Sequence, residues 1–140
     1  MSVQYPIPAA IAVVFRGDDV LLVRRANPPD AGRWGFPGGK IERGETIMRA
    51  AERELVEETS IVGNAKRVFT AVDAFERSSA GAVLHHFILV AVLCDVNMSR
   101  VFRTRRTMRP RQNGLLCTSL GMARISLDFS ATFTWPSTSR

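Results

Sequence analysis

The sequence predicts a single domain of the α/β class, on three observations. Its 140 residues suit one domain, and a hydrophobic content of 46% is enough to bury a core. Several apolar, β-branched runs are typical of strands, and one segment between them has helical periodicity. Strands on both sides of a helix place the chain among α/β folds.

The first two strands are predicted before residue 26. Residues 9–15 (AAIAVVF) form an apolar run that ends at the turn sequence RGDD, and residues 20–25 (VLLVRR) supply the return strand. Residues 27–32 (NPPDAG) are predicted as a loop, because two prolines stop strand and helix alike. A short strand over residues 34–36 and a turn over residues 37–39 follow.

A helix is predicted from about residue 46 to residue 59. Ile47, Ala51 and Leu55 recur every four residues, with Ala50 beside them, which gives an apolar stripe on one face. Two longer strands are predicted at residues 68–75 and 82–94. The second is the most hydrophobic run of the chain and is predicted to be a central strand.

Charge divides the chain at residue 94. Residues 1–94 carry equal numbers of basic and acidic side chains, so the whole net charge of +6 lies in residues 95–140. That segment is rich in Arg, lacks Lys and Glu, and has no clear strand or helix pattern. We therefore expect a core domain over residues 1–94 and an atypical, poorly ordered or frame-shifted segment over 95–140. Residues 115–125 are its best helix candidate.

Three glutamates on the predicted helix point to a metal site. Glu54, Glu57 and Glu58 have the spacing i, i+3 and i+4, so they share one face, where like charges repel. Carboxylate oxygens suit Mg²⁺ or Mn²⁺, which also bind substrate phosphates. The neighbouring Arg53 can orient a carboxylate through a forked hydrogen bond. On spacing alone, a solvated acidic face remains an equal alternative.

The complete spacing favours the metal site. Residues 39–61 resemble the Nudix box, Gly-x5-Glu-x7-Arg-Glu-U-x-Glu-Glu-x-Gly-U, in which U is a bulky aliphatic residue. The residues that match its fixed positions are Gly39, Glu45, Arg53, Glu54, Leu55, Glu57, Glu58 and Ile61. Only the final glycine differs, since Ser60 stands in its place. The resemblance extends over residues 9–94 and implies an α/β/α sandwich around a mixed sheet.

The resemblance also implies roles for the residues of the box. Glu54, Glu57 and Glu58 would bind Mg²⁺ (or Mn²⁺), and a backbone carbonyl near Gly38 or Gly39 would complete the ligand set. Two further residues would support them: Arg53 would hold the glutamates, and Glu45 would lie near the metal as a secondary ligand. Catalytic roles are expected for Glu54, Arg53 and Glu57, with Gly39 in a tight turn.

The sequence does not identify the residue that accepts the proton. Glu54 is the candidate within the box, whereas many family members take the base from a later loop, and no Glu follows Glu76 here. Ser60 lies just beyond the helix, where a left-handed backbone favours glycine. We expect it to weaken local stability without removing activity.

Three residues outside the box are candidates for binding substrate. Arg24 and Arg25 leave a central strand and could meet a phosphate. Trp34 could stack on a base, although packing in the core is the more common role for such a residue. His85 and His86 should point to opposite faces of a strand, so they should not bind one metal together.

The resemblance implies Mg²⁺-dependent hydrolysis of a diphosphate linkage in a nucleoside diphosphate derivative, and it is closest to the ADP-ribose pyrophosphatase branch. The alternatives are a MutT-like nucleoside triphosphate pyrophosphohydrolase and a non-catalytic Nudix-fold binding module. The expected partner is a nucleotide-type small molecule, with a homodimer left open and nucleic acid disfavoured. The absence of a signal-like N-terminus or of a long apolar run predicts a cytoplasmic protein outside the membrane.

Overall fold

The computed structural model describes residues 5–24 and 32–97, together with the backbone of residues 120–124. The strands and the helix, in chain order, are β1 (Ile7–Val13), β2 (Phe15–Arg16), β3 (Asp19–Arg24), β4 (Trp34–Gly35), β5 (Gly38–Lys40), α1 (Ile47–Thr59), β6 (Gly63–Arg77), β7 (Val83–Val96) and β8 (Leu120–Arg124). Within these ranges, no helix has the length and apolar character that crossing a membrane requires.

A mixed sheet with the strand order β5-β1-β7-β6 forms the centre of the fold. Strand β1 runs parallel to β7, whereas β5 and β6 are antiparallel to their neighbours. The apolar strand β7 lies inside the sheet, so the prediction of a central strand is confirmed. Strands β5 and β6 form its two edges, and α1 contacts both of them.

Helix α1 packs on one face of the mixed sheet. Ala50, Ala51 and Leu55 are fully buried and join Val92 and Cys94 of β7 in one apolar cluster. A second cluster, centred on Phe87 and Leu89, occupies the opposite face of the sheet. The mixed sheet and its helix layer confirm the α/β prediction. A second helix layer, which the α/β/α prediction also requires, is not among the described residues.

The predicted stripe of α1 is only partly correct. Ala50, Ala51 and Leu55 are buried as expected, but Ile47 at the start of the helix is exposed. Thr46 caps this end, because its side-chain oxygen accepts the backbone N–H of Arg49. The first turn of α1 therefore lies beyond the apolar cluster. The four-residue apolar repeat correctly predicts the buried face only in the middle of the helix.

A second sheet is organised around β3. One edge of β3 pairs with β2 and β4, and the other edge pairs with β8 over residues 120–124. This strand corrects the predicted helix over residues 115–125. The backbone groups on that edge of β3 need hydrogen-bond partners, and such tertiary demand overrides a weak local pattern. The tail thus contributes a strand to the domain; residues 98–119 and 125–140 lie outside the described residues.

The predicted turn over residues 37–39 is also wrong. Gly38 and Gly39 begin strand β5 and pair with Ile11 and Ala10 of β1. Neither glycine has a positive φ, so neither is needed to turn the chain. The Pro-Gly-Gly sequence resembles a turn locally, but the open edge of β1 recruits it as a strand.

Ser60 ends α1 in a left-handed conformation, with φ 58° and ψ 16°. Its N–H donates to the carbonyl of Val56, which completes the last turn. No other non-glycine residue in the described ranges has a positive φ. The backbone therefore adopts the conformation for which the Nudix box specifies glycine, as the sequence predicted.

Replacing Ser60 with glycine should raise the free energy of unfolding by about 1 kcal/mol, because a Cβ in the left-handed region is strained. Urea denaturation monitored by circular dichroism would measure the change. Ser79→Gly is the matched control: Ser79 lies in the exposed β6–β7 turn and has no positive φ, so it should gain nothing. A destabilised Ser60→Gly protein would contradict the left-handed assignment.

Candidate metal centre

Three acidic residues of the box surround one arginine of helix α1. Arg53 donates from Nε to Glu45 Oε1 at 2.8 Å and from Nη2 to Glu45 Oε2 at 3.0 Å. Its Nη1 atom donates to Glu54 Oε1 at 2.7 Å and to Glu57 Oε2 at 3.3 Å. Each of the three guanidinium nitrogens is thus used, and one side chain fixes three carboxylates relative to one another.

The surroundings of Arg53 show why a lysine could not replace it. The guanidinium also reaches strand β5, where Nη2 donates to the backbone carbonyl of Lys40 at 3.1 Å. Its pKa is raised, chiefly by the hydrogen bond to Glu45, so the side chain stays charged. A flexible ammonium group has no planar fork with which to hold a carbonyl and several carboxylates at once.

Glu54 is the deeply placed carboxylate of the group. Its side chain is only 11% exposed, and burial raises the pKa of the Glu54 carboxyl, an effect that the Arg53 hydrogen bond opposes only in part. The carboxylate lies directly on the backbone of Gly39. A Cβ added to Gly39 would stand 2.0 Å from Glu54 Oε1 and 2.4 Å from its carboxyl carbon. Gly39 is therefore required for space rather than for a turn.

Glu45 closes the other side of the arginine. The hydrogen bond from Arg53 holds the pKa of the Glu45 carboxyl below its ordinary value. The same carboxylate accepts the backbone N–H of Glu42 at 3.0 Å, which ties the loop before α1 to the site. Glu45 thus stays ionised and links the loop to the helix through Arg53.

These residues suit a hard divalent cation by their chemistry. The donors are carboxylate and backbone oxygens, and three carboxylates lie around a single positive side chain. In the described part of the chain, no three His, Cys, Asp or Glu side chains are already arranged to enclose a metal ion. Like charges on one helix face repel, and a bound cation would add counter-charge to that of Arg53.

Comparisons with known proteins identify the family of this chain. The family model described as NUDIX domain matches residues 6–111, which is most of the chain. The chain belongs to the NUDIX domain family. It is 30% identical over 92 residues to "ADP-ribose pyrophosphatase" from Methanocaldococcus jannaschii, covering 66% of this chain and 52% of that protein. It is also 38% identical over 90 residues to "Oxidized purine nucleoside triphosphate hydrolase" from Danio rerio, covering 64% and 51% respectively. The chain thus spans about half the length of these curated relatives.

Solved structures show the same fold. A MutT NUDIX hydrolase from Burkholderia pseudomallei superposes with a TM-score of 0.62 at 26% identity, over 86% of this chain and 84% of that one. The Nudix fold predicted from the box is therefore confirmed.

Two hydrogen bonds made by residues of the Nudix box were not predicted from the sequence. The carbonyl of Lys40 binds Arg53, and the carboxylate of Glu52 binds the backbone N–H of Ala65 at 2.9 Å. A main-chain carbonyl gives no signal in a sequence. Glu52 occupies one of the unspecified positions of the box, so only the three-dimensional arrangement identifies its partner.

The candidate substrate residues outside the Nudix box are only partly placed. Arg24 and Trp34 are directly opposite each other across β3 and β4, so the structure brings this pair together. Trp34 is 48% exposed, which rules out the core-packing alternative. Arg24 donates from Nε to the carbonyl of Gly32 at 3.1 Å. Arg25 lies outside the described residues.

The two adjacent histidines have separate partners. His85 Nδ1 lies 2.8 Å from Glu76 Oε2, and His86 Nε2 lies 2.7 Å from Asp73 Oδ1, with both carboxylates on strand β6. Their side chains leave β7 on opposite faces, as the strand periodicity predicted. These pairs join the two strands of a hairpin and do not form a shared metal site.

Proposed function

We propose that this protein is a Mg²⁺-dependent hydrolase that cleaves the diphosphate linkage of a nucleoside diphosphate derivative such as ADP-ribose. The observation that carries the proposal is the set of hydrogen bonds by which Arg53 holds Glu45, Glu54 and Glu57. With Glu58 on the same helix, these carboxylates form a metal-binding face beside the backbone of Gly39. Membership of the NUDIX domain family supports the assignment.

Glu54, Glu57 and Glu58 would hold the ion, with a carbonyl near Gly38 or Gly39 as a further ligand and Glu45 as a secondary ligand. Mg²⁺ (or Mn²⁺), when bound, supplies neutralisation of the diphosphate charge and activation of the attacking water. Arg53 would keep the carboxylates in fixed positions relative to one another during the reaction. It donates to one oxygen of Glu54 and one oxygen of Glu57, so the guanidinium does not use the second oxygen of either carboxylate.

Glu54 is the candidate proton acceptor. Its carboxylate lies against Gly39, and burial raises the pKa of the Glu54 carboxyl in the absence of the ion. The attacking water would pass its proton to a Glu54 oxygen as the water oxygen bonds to one phosphorus of the diphosphate. The bridging phosphorus–oxygen bond of the linkage breaks at the same time, and its electron pair leaves with the departing phosphate. Arg53 stabilises the ionised form before the transfer, since it donates to Glu54 Oε1 at 2.7 Å.

The substrate assignment rests on a relative named ADP-ribose pyrophosphatase, which aligns with about two thirds of this chain. A second candidate, a MutT-like nucleoside triphosphate pyrophosphohydrolase, is supported by the Danio rerio relative named for oxidised purine nucleoside triphosphates. Arg24 and Trp34 fit either substrate, because a guanidinium can bind phosphate and an exposed indole can stack on a base. A cytoplasmic location suits both nucleotides.

The test is an assay of the full chain with ADP-ribose, NADH, diadenosine polyphosphates and nucleoside triphosphates. We expect turnover with Mg²⁺, loss of turnover in excess EDTA, and recovery when Mg²⁺ is restored. ADP-ribose should have the highest kcat/KM, and a higher value for a triphosphate would select the MutT-like alternative. Nucleotide binding by calorimetry without turnover of any compound would contradict the enzyme assignment and identify a binding module.

A further inference from the structure

Helix α1 contacts both edge strands of the mixed sheet. On one flank, Glu54 lies on Gly39 of β5, and Arg53 reaches the carbonyl of Lys40. On the other flank, Glu52 Oε1 accepts the backbone N–H of Ala65 of β6 at 2.9 Å. Residues two apart on a helix point in nearly opposite directions, since each residue turns the chain by about 100°. Glu52 and Glu54 therefore hold the helix from opposite sides.

The contact of Glu52 falls at an irregular point of β6. Ala65 pairs with Cys94, but the register shifts between Ala65 and Arg67, so Lys66 is skipped in the backbone pairing with β7. Such a bulge bends a strand and interrupts its ladder of hydrogen bonds. The Glu52 carboxylate binds the N–H at the edge of this bulge, which gives the helix a polar attachment at one defined place.

Apolar packing alone fixes the position of α1 along β6 less precisely than a hydrogen bond does. Leu55 packs so closely on Gly63 that a Cβ there would stand 2.7 Å from Leu55 Cδ2. That contact sets how near the helix lies to β6, but it does not prevent sliding along the strand. A hydrogen bond to one N–H does prevent it, because its geometry tolerates little displacement. Arg49, 3.9 Å from the other oxygen of Glu52, is mostly exposed and adds little.

We propose that Glu52 is a positioning residue for the metal centre. It fixes α1 against β6, and so sets where Glu54, Glu57 and Glu58 stand relative to the backbone of β5. The inference rests on the proposed function, because it concerns the same metal-binding face. Glu52 itself points away from that face, toward Ala65, so its role is to position the helix.

Binding of Mn²⁺ tests the proposal without any need for turnover. Isothermal titration calorimetry of the full chain should give a dissociation constant for Mn²⁺ about tenfold higher for Glu52→Ala than for the wild type. Mutating a residue that supports metal ligands without binding the metal typically weakens metal binding by about 10- to 100-fold, and we expect the smaller effect. Glu52→Gln keeps an oxygen that can accept the Ala65 N–H, so it should bind Mn²⁺ within about twofold of the wild type. With substrate, kcat should fall in Glu52→Ala while KM is unchanged.

Two controls separate positioning from stability. Leu89→Met alters the cluster on the opposite face of the sheet, so it should lower the melting temperature and leave Mn²⁺ binding unchanged. Arg49→Ala should also bind Mn²⁺ as the wild type does. If Glu52→Ala is less stable but binds Mn²⁺ normally, the positioning role is wrong while the proposed function stands. If the wild type does not bind Mn²⁺, the proposed function itself is wrong, and the inference falls with it.

Discussion

Replacing Glu57 with glutamine should reduce kcat by roughly 1,000-fold, because loss of one ligand charge removes several kcal/mol of stabilisation from a metal-assisted transition state. Glu57 is the most exposed carboxylate bound to Arg53, with 59% of its side chain accessible, and its contact with the guanidinium is the longest at 3.3 Å. It contributes little to the fold. Its acidic charge is therefore explained by the ion it would bind.

The stability of this variant separates the metal role from a structural one. An exposed ion pair adds less than about 1 kcal/mol, and glutamine removes repulsion from the neighbouring glutamates, so the free energy of unfolding should change by no more than about 0.5 kcal/mol. Addition of Mg²⁺ should raise the melting temperature of the wild type more than that of Glu57→Gln.

The matched control for charge is Glu42→Gln, the same chemical change at an exposed position of the loop before α1. The backbone of Glu42 makes the contacts to the site: its N–H donates to the Glu45 carboxylate, and its carbonyl accepts from the Glu45 N–H. We expect near-normal kcat and normal stabilisation by Mg²⁺. Full activity in Glu57→Gln would refute the metal assignment, and equal losses in both variants would point to the net charge of the region instead.

The sequence predicted the helix and the contacts of Arg53 with the glutamates because both depend on local spacing. Thr46 caps the start of α1, and Ser60 ends the helix in the left-handed conformation. Both features depend only on residues within one helical turn. The positions i, i+3 and i+4 place carboxylates together on any helix. A pattern of this kind needs no knowledge of the rest of the fold.

The parts that the sequence did not predict depend on pairing between distant segments. Gly38 and Gly39 form a strand because β1 offers an open edge, and residues 120–124 form one because β3 does. Strand propensity is weak beside such tertiary demand. The attachment of Glu52 to Ala65 belongs to the same class, since it requires the bulge of β6 to lie beneath α1.

Replacing Gly39 with alanine should lower kcat roughly 100-fold, because a ligand displaced by about 1 Å loses productive geometry. The new methyl group would occupy the position of the Glu54 carboxylate, which now lies 2.0 Å from that point. The carboxylate is the free end of a side chain, so it would yield and leave Arg53. The loss of one charged hydrogen bond should cost about 1–2 kcal/mol of stability.

Gly38→Ala is the comparison that shows the origin of the effect. There the added Cβ would meet the backbone itself, 2.6 Å from the carbonyl oxygen of Ala10 and 2.9 Å from Ile11 Cα. Backbone in a paired strand cannot rotate away, so overpacking should cost about 2–3 kcal/mol. Chemical denaturation should rank Gly38→Ala as the less stable of the two variants. The reverse order would mean that β5 does not pair with β1 as described.

A double-mutant cycle with Glu54→Asp decides whether Gly39 acts through the Glu54 carboxylate. Aspartate is shorter by one methylene, so its carboxylate withdraws from the space that the methyl group of Gly39→Ala would fill. Glu54→Asp alone should reduce kcat, and adding Gly39→Ala should then cost far less than in the wild type, with a coupling free energy of at least about 1 kcal/mol. Strictly additive losses would show that alanine at position 39 disturbs the site by another route, such as displacement of the Lys40 carbonyl from Arg53. Non-additivity would establish that the glycine of this box is selected to make room for a carboxylate, which explains why a residue in a regular strand tolerates no side chain.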